Sequence, residues 1–311
     1  MPNPMMLAGF PDILDSRFGD VFDGRYAIEK DRVPDFYTVV KPTQVTEKGT
    51  RLTDGPAFQD FSLLGRVTYG APEQGYDWSS TYKHFALGTQ VEKDLLMYDQ
   101  HDVIEGRWEF LADSARDYRL NDAARIFNQA FTIDTRFYNH TEGVALCSNS
   151  HTTVIDGVST SVGFDNLITS AFSPTSLKAA LIQFRKFKSD QGRIIDGLMP
   201  DTLVGSIDLE TDFLEVMQTE LGFEPERFGE STKNVLQDKY RLINWARISS
   251  TTNWFLLDSK AMKRNLVWFE AQPLQRDRAK DLDTMVAKYV ADMYYHTAYK
   301  DWRWILGSQV S

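Results

Sequence analysis

The sequence predicts an α+β fold, in which helices and strands occupy separate stretches of the chain. Residues 101 to 135 contain no proline, and their apolar residues recur every three or four positions, which indicates one face of a long helix. Residues 287 to 299 alternate instead, which is typical of a strand with one buried face. A chain of 311 residues with 42% hydrophobic residues is long enough to bury a sizeable core.

The first 60 or so residues predict an extended arm. Prolines interrupt this stretch at Pro2, Pro4, Pro11, Pro34, Pro42 and Pro56. One short amphipathic helix is expected at residues 12 to 22. Because such an arm buries little surface against itself, we expect it to become ordered by lying on something else, such as a neighbouring subunit.

Residues 61 to 97 predict a long β-hairpin. The stretches FSLLGRVTY and YDWSSTYKHFALGTQV flank the turn-rich GAPEQG at residues 70 to 75, as two strands flank a tip. Two strands alone are only marginally stable in water. The hairpin must therefore rest on its own body or on a neighbour.

The long helix at 101 to 135 is expected to be a structural spine. Its apolar face consists of Ile104, Trp108, Leu111, Ala115, Tyr118, Phe127, Ala130 and Phe131. A loop of small polar residues follows at 139 to 165. Ser173 then predicts an N-cap, with Pro174 at the first helical position of a second helix that runs to Lys188 before Gly192.

The rest of the chain predicts further short elements. A buried strand is expected in RIIDGLMPDTLVGS and a helix in DLETDFLEVMQTEL, followed by strands in YRLINWARI, NWFLLD and LVWFEAQ. The inward residues of the last strand are expected to be Ala287, Tyr289, Ala291, Met293, Tyr295, Thr297 and Tyr299.

Composition narrows the class of protein. Cys147 is the one cysteine, which excludes an internal disulfide and indicates a reducing site of synthesis such as a bacterial cytoplasm. The net charge of -10 argues against tight sequence-independent binding of DNA. No stretch approaches the ~20 apolar residues of a membrane span, and the N-terminus lacks a basic signal-peptide region. We therefore expect a soluble protein that no signal peptidase processes.

No catalytic, cofactor-binding or metal site is expected. Cys147 and His151 could be a nucleophile and a base, but their closeness in sequence is poor evidence for such a pair. The other histidines lack metal-binding spacing: His84, His101, His140 and His296. The acidic groups lack the pattern of a calcium loop and are interpreted as solvated helix ends and turns: Asp208, Glu210 and Asp212, and Glu224 and Glu226. Phosphate-binding glycine motifs and GxSxG are absent from the sequence.

Four short sequence segments, taken in their order along the chain, resemble segments of a known protein family. They are LCSNSHTT at 146–153, LMPDTLVGS at 198–206, NWFLLDSKA at 253–261 and VADMYYHTAYKDWRWILGS at 290–308. With the element order, they resemble the major capsid proteins of tailed double-stranded DNA bacteriophages, the Hong Kong ninety-seven type of fold. Within that group the chain resembles the major head subunits of Mu-like phages.

The resemblance implies a particular anatomy. An N-terminal arm would cover residues 1–55, an extended hairpin loop 56–97, and a peripheral domain with the spine helix 98–171. An axial domain would cover 172–262, and C-terminal strands at 263–311 would return to the peripheral domain beneath the spine.

The resemblance also implies a structural function without catalysis. Copies of the chain would form hexamers and pentamers of an icosahedral shell that encloses double-stranded DNA without binding it specifically, with no cofactor and no membrane. Scaffolding, portal and decoration proteins are expected partners. A start at Met1 predicts that any scaffolding is a separate protein. The shell would assemble in the host bacterial cytoplasm and become the capsid of the virion.

Two alternatives remain open from the sequence. The same fold could build a cellular nanocompartment of the encapsulin type, which encloses an enzyme instead of DNA. A different class, a soluble cytosolic enzyme or ligand-binding protein, would form small oligomers and no particles.

Overall fold

The chain forms an α+β fold of six described helices and three sheets, which confirms the predicted class. The computed structural model describes residues 11–58, 60–61, 65, 67, 69–92, 103–219, 234–281 and 286–310. The helices are α1 (Pro11–Tyr26), α2 (Val33–Phe36), α3 (Val103–Asn128), α4 (Pro174–Phe184), α5 (Glu210–Gln218) and α6 (Ser259–Asn265).

The described strands are numbered in chain order. They are β1 (Thr38–Val40), β2 (Thr46–Leu52), β3 (Gln74–Thr81), β4 (Lys83–Glu92), β5 (Asn139–His140), β6 (Leu167–Ile168), β7 (Thr202–Gly205), β8 (Arg241–Asn244), β9 (Trp254–Leu257), β10 (Leu266–Asp281), β11 (Val286–Tyr299) and β12 (Ile305–Ser308).

The strands form three sheets, of which the first two are mixed and the third is antiparallel. In the first sheet the order is β1-β10-β11-β4, in the second β6-β12-β9-β7-β8, and in the third β2-β3-β5. Two long antiparallel strands, β10 and β11, form the centre of the first sheet, and β1 pairs in parallel with β10 at one edge. The second sheet is the densest part of the core, because β7, β9 and β12 are buried at every position.

The spine helix α3 confirms the expected long helix, although it ends earlier than predicted. Its 26 residues span about 39 Å at ~1.5 Å per residue. It ends at Asn128, whose side-chain amide donates to the backbone carbonyl of Arg247. Of the six residues of its predicted face that lie within the helix, five are buried, namely Ile104, Trp108, Leu111, Ala115 and Phe127, whereas Tyr118 is 40% exposed. Residues 101 and 102 lie outside the described part.

Strand β11 confirms the predicted alternation from Lys288 to Tyr295, whereas every residue from His296 to Tyr299 is buried. Six of the seven residues expected inward are buried, namely Tyr289, Ala291, Met293, Tyr295, Thr297 and Tyr299. Their side chains face the spine helix: the Tyr289 ring lies 5.3 Å from the Trp108 ring, and the Tyr295 hydroxyl donates to Asp122 at 2.8 Å. The aromatic residues of this strand therefore hold the first sheet against α3.

The start of α4 also confirms its prediction, while its end does not. Ser173 is the N-cap, with a capping box to Ser176 and Pro174 in the first turn. The helix ends at Phe184, so Lys188 lies beyond it, in a bridge with Ile194. Gly192 has a φ of 76°, which only glycine adopts readily, and it belongs to a tight turn rather than to a helix end.

The described part of α1 does lie on another part of the molecule, but its partner is the same chain and not a neighbouring subunit. Phe18 and Phe22 are 1% and 2% exposed, although both belong to the arm. The ring of Phe18 lies 5.4 Å from Trp108 and 4.9 Å from Tyr289 of the same chain. The aromatic residues of α1 find apolar partners on α3 and β11, which the sequence pattern of the arm could not reveal. Residues 1–10 lie outside the described part.

The predicted hairpin exists with a different first strand. The strand β3 pairs antiparallel with β2, with Thr46 opposite Thr81. Phe61, Gly65, Val67 and Tyr69 are described and lie outside strands, while 62–64, 66 and 68 are outside the described part. The described residues of the connection between the two strands, 53–58, 60–61, 65, 67 and 69–73, lie outside helices and strands, and they are called the loop at 53–73 below. The strand that follows, β4, pairs with β11 of the first sheet.

Phe18→Ala is expected to lower the free energy of unfolding by about 3 kcal/mol, because it empties a site between three aromatic rings. Urea unfolding followed by circular dichroism would measure this change. The control is Phe110→Ala on α3, whose side chain is 61% exposed and whose loss should cost no more than ~0.5 kcal/mol. Equal stabilities of the two variants would contradict the docking of α1 on its own chain.

Candidate functional site

The loop at 53–73 presents apolar side chains to solvent. Its large exposed residues are Phe58, Phe61, Val67 and Tyr69, with exposed fractions between 59% and 108%. An apolar group gains free energy by leaving water, at roughly 25 cal/mol per Å². Several such residues on one short segment mark a surface that binds another molecule more often than a solvated loop.

The base of this loop is fixed by a buried cluster of two arginines and two aspartates. Arg51, at the end of β2, donates from Nε to Asp190 at 3.1 Å and from Nη1 to Asp301 at 2.6 Å. Arg303 donates to the same two carboxylates, at 3.1 Å and 3.0 Å. Each carboxylate therefore lies between two guanidinium groups, so the two negative charges are compensated by two positive ones at a largely buried place.

The charges of this cluster decide the protonation state of Asp301. Burial alone disfavours the charged carboxylate, yet the neighbouring Arg303 and Arg51 outweigh that effect and lower the pKa of Asp301. The carboxylate consequently remains charged at neutral pH, and the cluster stays intact. Sequence reasoning missed it because Arg51 is 139 positions from Asp190 and 250 from Asp301.

Backbone contacts close the loop at its two ends. The Thr53 amide donates to the Glu73 carbonyl at 3.0 Å, and the Glu73 amide donates to the Thr53 hydroxyl oxygen at 2.8 Å. On the same side, Arg193 donates to the Gly55 carbonyl at 2.7 Å. The loop therefore leaves the body from a fixed base while its apolar residues remain uncovered.

Cys147 and His151 do not form a catalytic pair. Cys147 is buried, and burial raises the pKa of its thiol, so the nucleophilic thiolate is disfavoured. The two ring nitrogens of His151 face other partners, with Glu142 Oε1 at 3.0 Å and the Leu146 carbonyl at 3.2 Å. The imidazole stacks on Trp302 at 4.2 Å. Both residues thus belong to the packing of the small-polar loop.

The other described histidines lie apart on the strands. His84 stacks on Tyr294 and His140 on Tyr299, at 3.9 Å and 4.0 Å between ring centroids. Burial lowers the pKa of His140 to about 4. His101 is outside the described residues. No group of three metal-binding side chains occurs within the described part of the chain.

Three of the five acidic residues named in the sequence analysis lie in the described part of the chain. Asp208, Glu210 and Asp212 are exposed around the start of α5, as expected for a solvated helix end. Carboxylates are favoured there by the positive end of the helix dipole. Glu224 and Glu226 lie outside the described residues.

His296 is the most unusual titratable group of the first sheet. Its side chain is fully buried and stacks on Phe269 at 4.6 Å, and within the described part neither ring nitrogen has a hydrogen-bond partner. Burial lowers the pKa of His296 to about 4. The fold therefore holds a neutral imidazole, whereas the unfolded chain takes up a proton below about pH 6.5.

His296→Leu is expected to make the protein less sensitive to mild acid. Because the folded pKa lies below the unfolded one, this histidine costs stability as the pH falls from about 6.5 toward 4. Between pH 7 and pH 5 the variant should lose on the order of 1 kcal/mol less stability than the parent chain. Urea unfolding at both pH values measures the difference, and parallel losses would contradict the buried neutral state.

The comparisons with known proteins agree with one another. A protein-family model described as phage capsid protein matches residues 79–307. No curated protein sequence matches the chain. Among the helices of the described part, none has the length and apolar character needed to cross a bilayer.

Several solved structures share the fold at low sequence identity. The capsid of a native GTA particle has a TM-score of 0.58 at 11% identity, covering 92% of both chains. A protein of Mycobacterium phage Patience has a TM-score of 0.56 at 9% identity, covering 100% of this chain and 90% of that one. The SrpI encapsulin of Synechococcus elongatus has 0.51 at 13% identity, covering 91% and 88%. At these identities the likeness establishes the fold alone.

Proposed function

This chain belongs to the phage capsid protein family and is a structural major capsid protein rather than an enzyme, and we propose that its copies close into an icosahedral shell around double-stranded DNA. The observation that supports the closed shell most directly is the loop at 53–73, whose base is fixed and whose apolar residues face solvent. When a sister copy covers this surface, the exposed apolar side chains are removed from water.

Repetition of the same loop contact around the shell stabilises the assembly. One loop buries only a few side chains on its neighbour, and an interface of that size is weak by itself. In a closed lattice every subunit both gives and receives such contacts, so each contact forms at a high effective concentration. Modest interfaces therefore suffice for a stable shell.

The acidic charge suits a wall that surrounds DNA without binding it. At a net charge of -10, phosphates are repelled rather than held, so the packaged DNA would not adhere to the shell. Scaffolding, portal and decoration proteins remain proposed partners. Assembly in the cytoplasm of a bacterial host is likewise part of the proposal.

We retain the division of the chain into an arm (1–55), an extended loop (56–97), a peripheral domain (98–171), an axial domain (172–262) and returning strands (263–311) as a proposal. The pairing of β2 with β3 favours placing the projecting part of the loop at 53–73. The contact of β11 with α3 supports a return of the C-terminal strands to the spine.

An encapsulin-type compartment is the second candidate, because the SrpI encapsulin shares the fold. The family match favours the phage capsid, since the fold by itself does not distinguish the two. The contents of the particle separate them: a phage capsid protects DNA, and a nanocompartment encloses protein.

The function is tested by expressing the chain and imaging it by negative-stain electron microscopy. We expect closed particles of uniform diameter, and particles isolated from a lysogen or infected culture should contain DNA that resists nuclease. Small soluble oligomers without particles would overturn the proposal. Particles that contain a protein cargo and no protected DNA would favour the nanocompartment.

Replacing two loop aromatics, Phe58→Ser with Tyr69→Ser, is expected to leave the monomer folded and to reduce the yield of particles strongly. The exposed side chains contribute little to the stability of a single chain, but they are available for contacts between copies. Electron microscopy and sedimentation measure assembly, and circular dichroism checks the fold.

The matched control exchanges the aromatic rings without removing them, as Phe58→Tyr with Tyr69→Phe. This variant retains most of the apolar area and should assemble as the parent does. Normal assembly of the serine variant would show that the loop does not contact neighbours.

A further inference from the structure

A basic groove lies at one end of the second sheet. It has a volume of about 630 Å³ and lies between the start of β8 and α6. Its four cationic residues are Arg241, Lys260, Lys263 and Arg264. Asp35 is the one carboxylate among the residues that line it in the described part of the chain. The groove is therefore strongly positive in a chain whose net charge is -10.

The cations of the groove differ from most other arginines of the protein in having no ion-pair partner. Across the described residues, carboxylates lie within 4 Å of Arg17, Arg25, Arg51, Arg116, Arg119, Arg125, Arg136, Arg193, Arg247, Arg276 and Arg303. None of the four groove cations has such a partner in that part of the chain. Asp35 itself pairs with Lys30 at 3.1 Å, outside the groove lining.

The geometry of the groove is fixed by its deepest cation. The ammonium of Lys263 donates to the backbone carbonyls of Pro34 and Tyr37, and this ties α6 to α2. Burial lowers the pKa of Lys263, Asp35 opposes that shift, and Arg241 adds to it. Arg241, Lys260 and Arg264 surround this fixed point and are exposed, so their charges are available to a partner.

An acidic edge lies at the other end of the same sheet. It consists of Asp208, Glu210 and Asp212, all of them exposed. Strand β7 connects the two places, because Thr202 lies beside Arg241 while Gly205 leads into the turn that carries Asp208. Four strand residues span about 10 Å. Within the described residues, no cation lies within ion-pair distance of these three carboxylates.

We infer that the basic groove of one copy binds the acidic edge of a neighbouring copy, and this inference rests on the proposed assembly of the chain into a shell. The two surfaces carry opposite charge and lie at opposite ends of β7, so a second copy can join them head to tail. A contact between different surfaces repeats from copy to copy and closes a ring when the rotation is suitable. The charges set the register of that ring.

Phosphates of nucleic acid are the competing ligand for the groove. The sister copy is favoured because its acidic edge is present on the same chain and matches the groove in charge, with three carboxylates against four cations. A phosphate backbone would require a longer basic track to bind a chain that is acidic overall.

The experiment is a charge swap. Lys260→Glu with Arg264→Glu reverses the groove, and Asp208→Lys with Asp212→Lys reverses the edge. Either reversal should raise the protein concentration needed for assembly by about tenfold or more, because attraction becomes repulsion. Joining all four substitutions in one chain should restore assembly. Analytical ultracentrifugation measures small oligomers, and electron microscopy measures particles.

The matched control keeps the charge and alters the shape, as Lys260→Arg with Arg264→Lys. It should assemble as the parent chain does, and circular dichroism should show that all variants are folded. Assembly of both reversed chains at parental concentration overturns the inference. Reversal of the groove that removes only DNA from normal particles also overturns it and assigns the groove to phosphates.

The inference and the proposed function fail in different ways. If the parent chain forms rings but no particles, and the reversed chains form no rings, the inference holds and the closed shell does not. If the parent forms particles that the reversals do not affect, the closed shell holds and the inference does not. A parent that remains monomeric at every concentration overturns both.

Discussion

The packing of the spine helix against β11 is the contact on which the rest of the structure depends. Trp108 of the helix packs against Tyr289 of the strand, and Asp122 of the helix accepts a hydrogen bond from the Tyr295 hydroxyl. Aromatic side chains bury large areas, and their edge-to-face contacts add to the stability that burial alone provides. Through this contact the first sheet gains a covered face, and α1 gains a surface on which Phe18 can dock. This aromatic contact thus stabilises the first sheet beside the larger core that surrounds the second sheet.

The loop at 53–73 has a fixed base and uncovered apolar residues. The cluster of Arg51, Asp190, Asp301 and Arg303 fixes the base of the loop, whereas the aromatics beyond it face solvent. Buried ion pairs of this kind add little net stability compared with apolar packing, since desolvation offsets their attraction. Their geometry is directional, however, because each guanidinium meets a carboxylate in its own plane. The direction in which the loop leaves the body is what this cluster determines.

The sequence predicted the elements whose signals are local. The spine helix, the cap at Ser173 and the alternation of β11 follow from spacings of two to four residues; the cap was confirmed, the helix was confirmed with an earlier end, and the alternation was confirmed as far as Tyr295. The partner of β3 was predicted wrongly because the true partner, TEKGTRL, is polar and half-exposed and lacks an apolar alternation. Charges gave no better signal: Arg51 meets Asp301 across 250 positions, a distance at which spacing carries no information. Pairings that depend on tertiary contacts are therefore the part that required the structure.

The place of β12 within its sheet has a consequence for the order of events during synthesis. This strand lies between β6 and β9, although it is translated after both. Until residues 305–308 leave the ribosome, β9 lacks the neighbour that satisfies its second edge, with Ile305 opposite Leu257. A nascent chain can form the spine helix early, yet it completes this sheet only after β12 has been synthesised. Until then one edge of β9 remains open to pairing with another strand.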